Sequence, residues 1–295
     1  MIEEKVTLSN SIGINVKYSI DMKNDKETVL FLHFSGGTLE MWNGILPMFG
    51  KEFNIVAPDY RGHGKSDKPL TGYHIDDMAH DIYLLLNELN INQCHIVGSS
   101  LGAEVGLSLA ATYPEKVKSL VCEGALYNEF GEYGLFNGSV EEIAEEKKRL
   151  SAGLAERVLP NCSTREEYIE EVKGSFIQQG LWNEYVLRFL ESTMVQNEEG
   201  KFTNRYQNHV RTEYITKYWE VQFDHYYRNI QCPILFLPSE EESKNEKINR
   251  SLQYFSSLVN GYEIKHIEGS LHAYVWLQYP EKAGKTVEEF IEKVK

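Results

Sequence analysis

No apolar run in the sequence approaches the ~20 residues needed to span a bilayer. The amino terminus, Met1-Ile2-Glu3-Glu4-Lys5, is acidic and has no apolar stretch behind it, so no secretory leader is expected. Cysteine is scarce. Cys94, Cys122, Cys162 and Cys232 are scattered, without a CxxC pair or zinc-ligand spacing, and reduced thiols in a cytoplasmic protein are the expectation. Basic residues are outnumbered: 30 Lys and Arg against 44 Asp and Glu leave a net charge of −14. That balance repels phosphate backbones and anionic lipid, so neither nucleic acid nor a membrane is expected as a partner. Internal repeats and low-complexity tracts are absent too. What remains is ordinary globular composition, 295 residues with 42% apolar and 25% charged, enough for one large domain or two modest ones.

The first part of the chain alternates strands with helices. Val6 to Ser9 and Ile14 to Ile20 read as a hairpin around Gly13. Thr28 to His33 and Phe53 to Ala57 are short apolar runs of buried-strand type. A helical pattern over Ile75 to Leu89 precedes the strand His95 to Val97, the helix Leu101 to Tyr113 and the strand Val117 to Cys122. Such alternation implies an α/β fold with a mostly parallel sheet covered on both faces. From Leu126 to Arg228 the pattern is helical, rich in aromatics and without a clear strand. After Cys232-Pro233 the rhythm returns, with strands over Ile234 to Leu237 and Tyr262 to Ile267 and helices over Asn245 to Phe255 and Ala283 to Val294. The expected organisation is an α/β core of residues 1–125 and 229–295, interrupted by a helical insertion at 126–228.

Chemistry concentrates at Gly98-Ser99-Ser100-Leu101-Gly102, a G-x-S-x-G pentamer between a strand and a helix. A sharp strand-to-helix turn of this kind lifts the middle hydroxyl clear of the sheet, and the glycines avoid collisions there. The helix starting at Leu101 directs backbone N–H groups and its positive end toward Ser100. A serine hydroxyl needs a general base, and the base needs an orienting acid. His272 follows the strand Tyr262 to Ile267 and comes last in the order Ser, acid, His; the other histidines are less suitably placed. Three glutamates, Glu240, Glu241 and Glu242, follow the strand Ile234 to Leu237, and Glu123 follows the strand before the insertion. Any of the four can be the acid on position alone.

Together these segments resemble the α/β-hydrolase superfamily, in its branch with a helical cap, over nearly the whole core. His33-Phe34-Ser35-Gly36-Gly37 is similar to the family's oxyanion loop, and Pro58 to Ser66 to its D-x-R-G-x-G-x-S turn. His95 to Gly102 resembles the nucleophile strand and elbow, and His272 with Pro280-Glu281 the histidine loop. The resemblance implies Ser100 as nucleophile, His272 as base and Glu242 as acid. It also implies that the backbone N–H groups of Ser35 and Leu101 form the oxyanion hole. Two positions depart from the pattern: Phe34 replaces the usual glycine after His33, and the acid loop begins with Ser239 and uses Glu in place of Asp.

A serine at the elbow separates this chain from relatives with an aspartate nucleophile and implies acyl chemistry on an ester, lactone or thioester. No metal or cofactor is required. A carbon–carbon bond hydrolase and a non-catalytic ligand-binding protein of the same fold are the alternatives. The expected partner is a small-molecule substrate with an apolar portion, because the cap is aromatic. Oligomeric state has no signature in the sequence.

Overall fold

The computed structural model describes residues 1–22 and 24–294. The chain opens with β1 (Ile2–Thr7) and β2 (Gly13–Tyr18), followed by β3 (Thr28–Leu32), the short helix α1 (Leu46–Phe49), β4 (Asn54–Pro58) and α2 (Ile75–Glu88). Next come β5 (Cys94–Ser99), α3 (Leu101–Thr112) and β6 (Val117–Glu123). Residues 126–228 contain β7 (Asn128–Phe130), β8 (Gly134–Phe136), α4 (Val140–Ala155), α5 (Arg165–Gln178) and α6 (Glu184–Thr193). The same segment continues with β9 (Met194–Gln196), β10 (Phe202–Asn204), α7 (Asn208–Tyr218) and α8 (Phe223–Tyr227). The chain closes with β11 (Ile234–Phe236), α9 (Glu240–Ser243), α10 (Glu246–Ser256), β12 (Tyr262–Ile264), α11 (Val275–Gln278) and α12 (Pro280–Val294).

Eight strands form the central sheet in the order β1-β2-β4-β3-β5-β6-β11-β12. β2 runs antiparallel to β1 and β4, and the pairings from β4 to β12 are parallel. Side-chain alternation along β3 divides the core. Leu30 and Leu32 join one apolar cluster with residues of α2 and α3, whereas Val29 and Phe31 join another with Trp42, Phe49, Trp276 and Phe290. Both faces are covered, so the parallel strands read as continuous apolar runs. The chain leaves β3 toward β4 and then crosses back to β5 on the other side. The loops after β3 and β5 therefore diverge at a switch point, where open α/β sheets place their ligand sites.

Three sequence expectations change. The amino-terminal hairpin forms, but β1 starts at Ile2 and Gly13 opens β2 rather than making the turn. β1 is almost wholly exposed, so it carries no apolar alternation to mark its extent. β12 stops at Ile264, leaving His266 outside it, because this edge strand pairs only with β11. Residues 126–228 are not purely helical: β7 pairs with β8, and β9 with β10. Strands of three residues are too short to show a period of two.

Close packing of α3 on the sheet sets a strict size limit. A Cβ at Gly102 would lie 1.9 Å from the Leu32 carbonyl oxygen, and one at Gly98 2.5 Å from the Ala103 nitrogen. Both obstacles are backbone, which cannot rotate away. Gly102→Ala is expected to destabilise the protein by about 3 kcal/mol or more, read as a lower Tm in a thermal melt. Gly153, inside α4, has nothing within 4 Å of its Cβ position. Gly153→Ala in the same melt is expected to add about 0.5–1 kcal/mol, from helix propensity alone.

Candidate active site

β5 ends at Ser99 and α3 begins at Leu101, so Ser100 makes the whole turn, with φ 51° and ψ −116°. That conformation is costly for a residue with a side chain and persists only where the surroundings enforce it. Here they do. The Ser100 N–H donates to the Glu123 backbone carbonyl, and the Ser100 carbonyl accepts from Ala103 N–H at 2.8 Å and Glu104 N–H at 3.1 Å. The backbone N–H of Leu101 has no acceptor among the described residues, nor does that of Ser35 in the loop after β3.

The β3 loop is shaped by its neighbours. The buried His33 ring has Nδ1 2.8 Å from the Phe34 carbonyl oxygen, and burial lowers its pKa. Phe34, in the place where the family pattern has glycine, packs edge-on against Phe189 and Tyr274. An apolar slot thus receives the extra side chain. Ser35 Oγ lies 2.8 Å from Tyr206 Oη, which ties this loop to the 126–228 segment.

His272 Nε2 is 3.1 Å from Ser100 Oγ. Its Nδ1 faces two carboxylates, with Glu242 Oε1 at 3.0 Å and Glu123 Oε1 at 3.4 Å. Neither approach is an in-line hydrogen bond, as expected when one N–H is shared between two oxygens. Other contacts distinguish the two acids. Glu123 is opposite Ser99 in the β5–β6 register. It accepts Ala273 N–H at 2.7 Å, Ser99 Oγ at 2.6 Å and Trp276 Nε1 at 3.3 Å, so it clamps the histidine loop to the sheet. Glu242 completes a capping box at the start of α9. Its Oε2 accepts Ser239 N–H at 2.9 Å, and its own N–H donates to Ser239 Oγ, leaving Oε1 for the histidine alone.

Burial works against protonation of His272, but Glu123 and Glu242 outweigh it and hold the imidazole well above its ordinary pKa. Burial likewise opposes ionisation of Glu242, yet His272 and Ser239 bring its carboxyl below the usual value. Glu240 is engaged elsewhere, with Gly269 N–H and Lys244, and Glu241 is exposed. The ligand atoms of Glu123, Glu242 and His272 lie within 4.8 Å of one another, close enough for a metal set. Three protein donors already engage Glu123.

Ser100 and His272 open into a cavity of about 280 Å³ between the sheet edge and α7. The sequence reading missed two of its polar residues, Glu104 and Glu129. Glu104 stands one helical turn after Ser100, on the same face of α3; only its spacing of four from the elbow serine marks it. A larger cleft of about 650 Å³, lined by Thr38, Glu40, Asp59 and Arg205 among others, includes neither Ser100 nor His272. Among the described residues no helix is long and apolar enough to cross a membrane.

Residues 27–157 match the family described as alpha/beta hydrolase fold. A 2-(acetamidomethylene)succinate hydrolase of Mesorhizobium japonicum is 35% identical over 106 residues, 36% of this chain and 38% of that protein. A 3-oxoadipate enol-lactonase of Acinetobacter baylyi is 30% identical over 108 residues, 37% of this chain and 40% of its own length. This chain therefore spans well under half the length of the curated relatives it matches. The crystal structure of an E-2-(acetamidomethylene)succinate hydrolase superposes with a TM-score of 0.76 at 22% identity, covering 99% of both chains. At that identity the likeness concerns the fold, and it extends to the whole chain.

Proposed function

We propose that this chain, whose residues 27–157 match the alpha/beta hydrolase fold family and whose fold is that of an α/β-hydrolase, is a serine hydrolase of carboxylic esters or related acyl bonds, such as lactones and thioesters. The observation that carries this reading is the chain of contacts from Ser100 Oγ through His272 Nε2 and Nδ1 to Glu242 Oε1, at 3.1 and 3.0 Å. Ser100 attacks the carbonyl carbon while His272 takes the hydroxyl proton. Glu242 holds the ring and stabilises the imidazolium. The unpartnered N–H groups of Leu101 and Ser35 receive the oxyanion, a contribution of about 3 to 4 kcal/mol per donor in comparable sites. The imidazolium returns its proton to the leaving group. His272 then activates water, which releases the acid from the acyl-enzyme.

Residues 126–228 act as the cap over this site. The cavity's aromatic residues and compact volume favour small substrates with an apolar portion. Labelling with a fluorophosphonate, followed by mass mapping, tests the proposal. The expected result is a single modified peptide containing Ser100, with labelling lost in His272→Ala. A folded protein that leaves Ser100 unlabelled while hydrolysing no ester would refute it.

A further inference from the structure

The cavity at Ser100 is aromatic and carries an excess of carboxyl groups: among the described residues its one basic side chain, His272, already faces Glu123 and Glu242. Tyr127, Tyr214, Tyr218 and Trp219 contribute aromatic surface, and Glu104 and Glu129 contribute carboxyl groups. No Lys or Arg lines it among the described residues. Glu104 is only 5% exposed, and among the described residues the single hydrogen-bond partner of its carboxyl is the Tyr214 hydroxyl, which donates to Oε2 at 2.9 Å. Burying a carboxyl with one neutral donor is expensive in a fold that needs it only for packing. Glu129, on β7, has no cation paired with it among the described residues, and burial and the nearby Glu146 raise its pKa. Burial raises the pKa of the Tyr127 phenol, and Glu242, Glu129, Glu104 and Glu123 raise it further. Arg157 stacks on the Tyr206 ring, 5.3 Å from its centroid, and is not part of the lining.

We infer that this cavity receives a positively charged substrate, an ester or related acyl compound that carries an ammonium group near the scissile bond. The inference rests on the serine-hydrolase reading of Ser100 and specifies its substrate class. An ammonium group gains from both features of the lining. Aromatic faces attract it through their quadrupoles, and carboxylates pair with it in a site of low dielectric. An anionic ester meets like charge at Glu104 and Glu129, and a neutral one leaves both carboxyl groups without a counter-charge. Burial pushes Glu104 up to about 7, so at neutral pH it passes readily to the charged form when a cation arrives.

The test compares acetylcholine, its uncharged analogue with carbon in place of the quaternary nitrogen, and an anionic monoester of succinate. The expected result is a kcat/KM for the cationic ester about tenfold or more above that of the neutral one, with the anionic ester slowest. Glu129→Gln, at the cavity wall and outside the sheet core, is expected to reduce the cationic-to-neutral ratio, and Glu104→Gln to reduce it further. Equal rates, or preference for the anionic ester, overturn the inference and leave the hydrolase reading intact. If no ester is cleaved and the fluorophosphonate fails to label, the hydrolase reading falls. Calorimetric titration of Ser100→Ala protein with tetramethylammonium then decides the inference by itself. Binding that weakens in the Glu129→Gln background supports a cation site, and no binding overturns it.

Discussion

Replacing Ser100 with alanine is expected to lower kcat/KM for an ester by about 10⁴- to 10⁶-fold, the range seen when a nucleophile is lost from an intact serine site. The fold should survive, because Ser100 is held by its backbone: the Glu123 carbonyl and the Ala103 and Glu104 amides grip the turn irrespective of the side chain. Alanine keeps the strain at φ 51°. Glycine does not, and Ser100→Gly is expected to be equally inactive yet to melt about 2 to 4 °C higher, corresponding to about 1 kcal/mol of released strain. Opposite changes in activity and Tm in one variant would identify the elbow as a place where stability is given up for function. Activity within tenfold of wild type in Ser100→Ala would remove Ser100 from the mechanism.

The second large effect concerns the acids. Glu242→Gln is expected to lower the plateau of kcat by about 10² to 10⁴, because its Oε1 faces only the imidazole. Glu240→Gln and Glu241→Gln should have little effect on it. Glu123→Gln has a different signature. His272 acts as a base only when deprotonated, and the two carboxylates hold its pKa well above the ordinary value. Hydrolysis by the wild type should therefore rise with pH through an inflection above ordinary histidine. Removing the charge of Glu123 is expected to bring that inflection down toward ordinary histidine. In pH–rate profiles the Glu123 variant thus reaches a larger fraction of its own plateau at mildly acidic pH. Linkage gives the matching sign for stability. A pKa raised by folding stabilises the protein fully below the unfolded-state pKa, and that contribution is lost as pH rises through the folded-state value. A larger loss of plateau rate in Glu123→Gln than in Glu242→Gln would make Glu123 the principal acid.

Local chemistry and chain order make the core strands and the elbow turn legible in the sequence. The parallel core strands are apolar runs because both faces of the sheet are covered, and Gly98 to Gly102 show in their spacing the turn that Ser100 adopts. His272 was legible from its place after the last strand. The choice among Glu123, Glu240, Glu241 and Glu242 was not legible from position, because it depends on where each carboxylate points. The capping box with Ser239 aims Glu242, and the β5–β6 register sets Glu123 beside Ser99. Glu104 was invisible for a different reason. Within the apolar helix Leu101–Thr112 a lone glutamate carries no motif, and its meaning comes only from Tyr214, 110 residues away. Trp219, Phe223 and Tyr227 share a helical spacing but not a role. Trp219 lines the cavity, while Phe223 and Tyr227 are buried in the main core.

The segment over the site is fastened by tyrosine hydroxyls. Tyr206 meets Ser35 at 2.8 Å, Tyr214 meets Glu104 at 2.9 Å, Tyr226 donates to Asp76 at 2.9 Å, and Tyr227 donates to the Ala125 carbonyl at 2.6 Å. Each of these oxygens belongs to the transplantable part of the chain and completes a group that would stay behind. Residues 126–228 are therefore not a cassette to be exchanged for another enzyme's to confer new specificity. A graft that omits these phenols would strip one partner from the β3 loop and leave the Glu104 carboxyl buried without its donor. Recombination among relatives would have to carry the four tyrosines, or their four counterparts in the core, across the junction together.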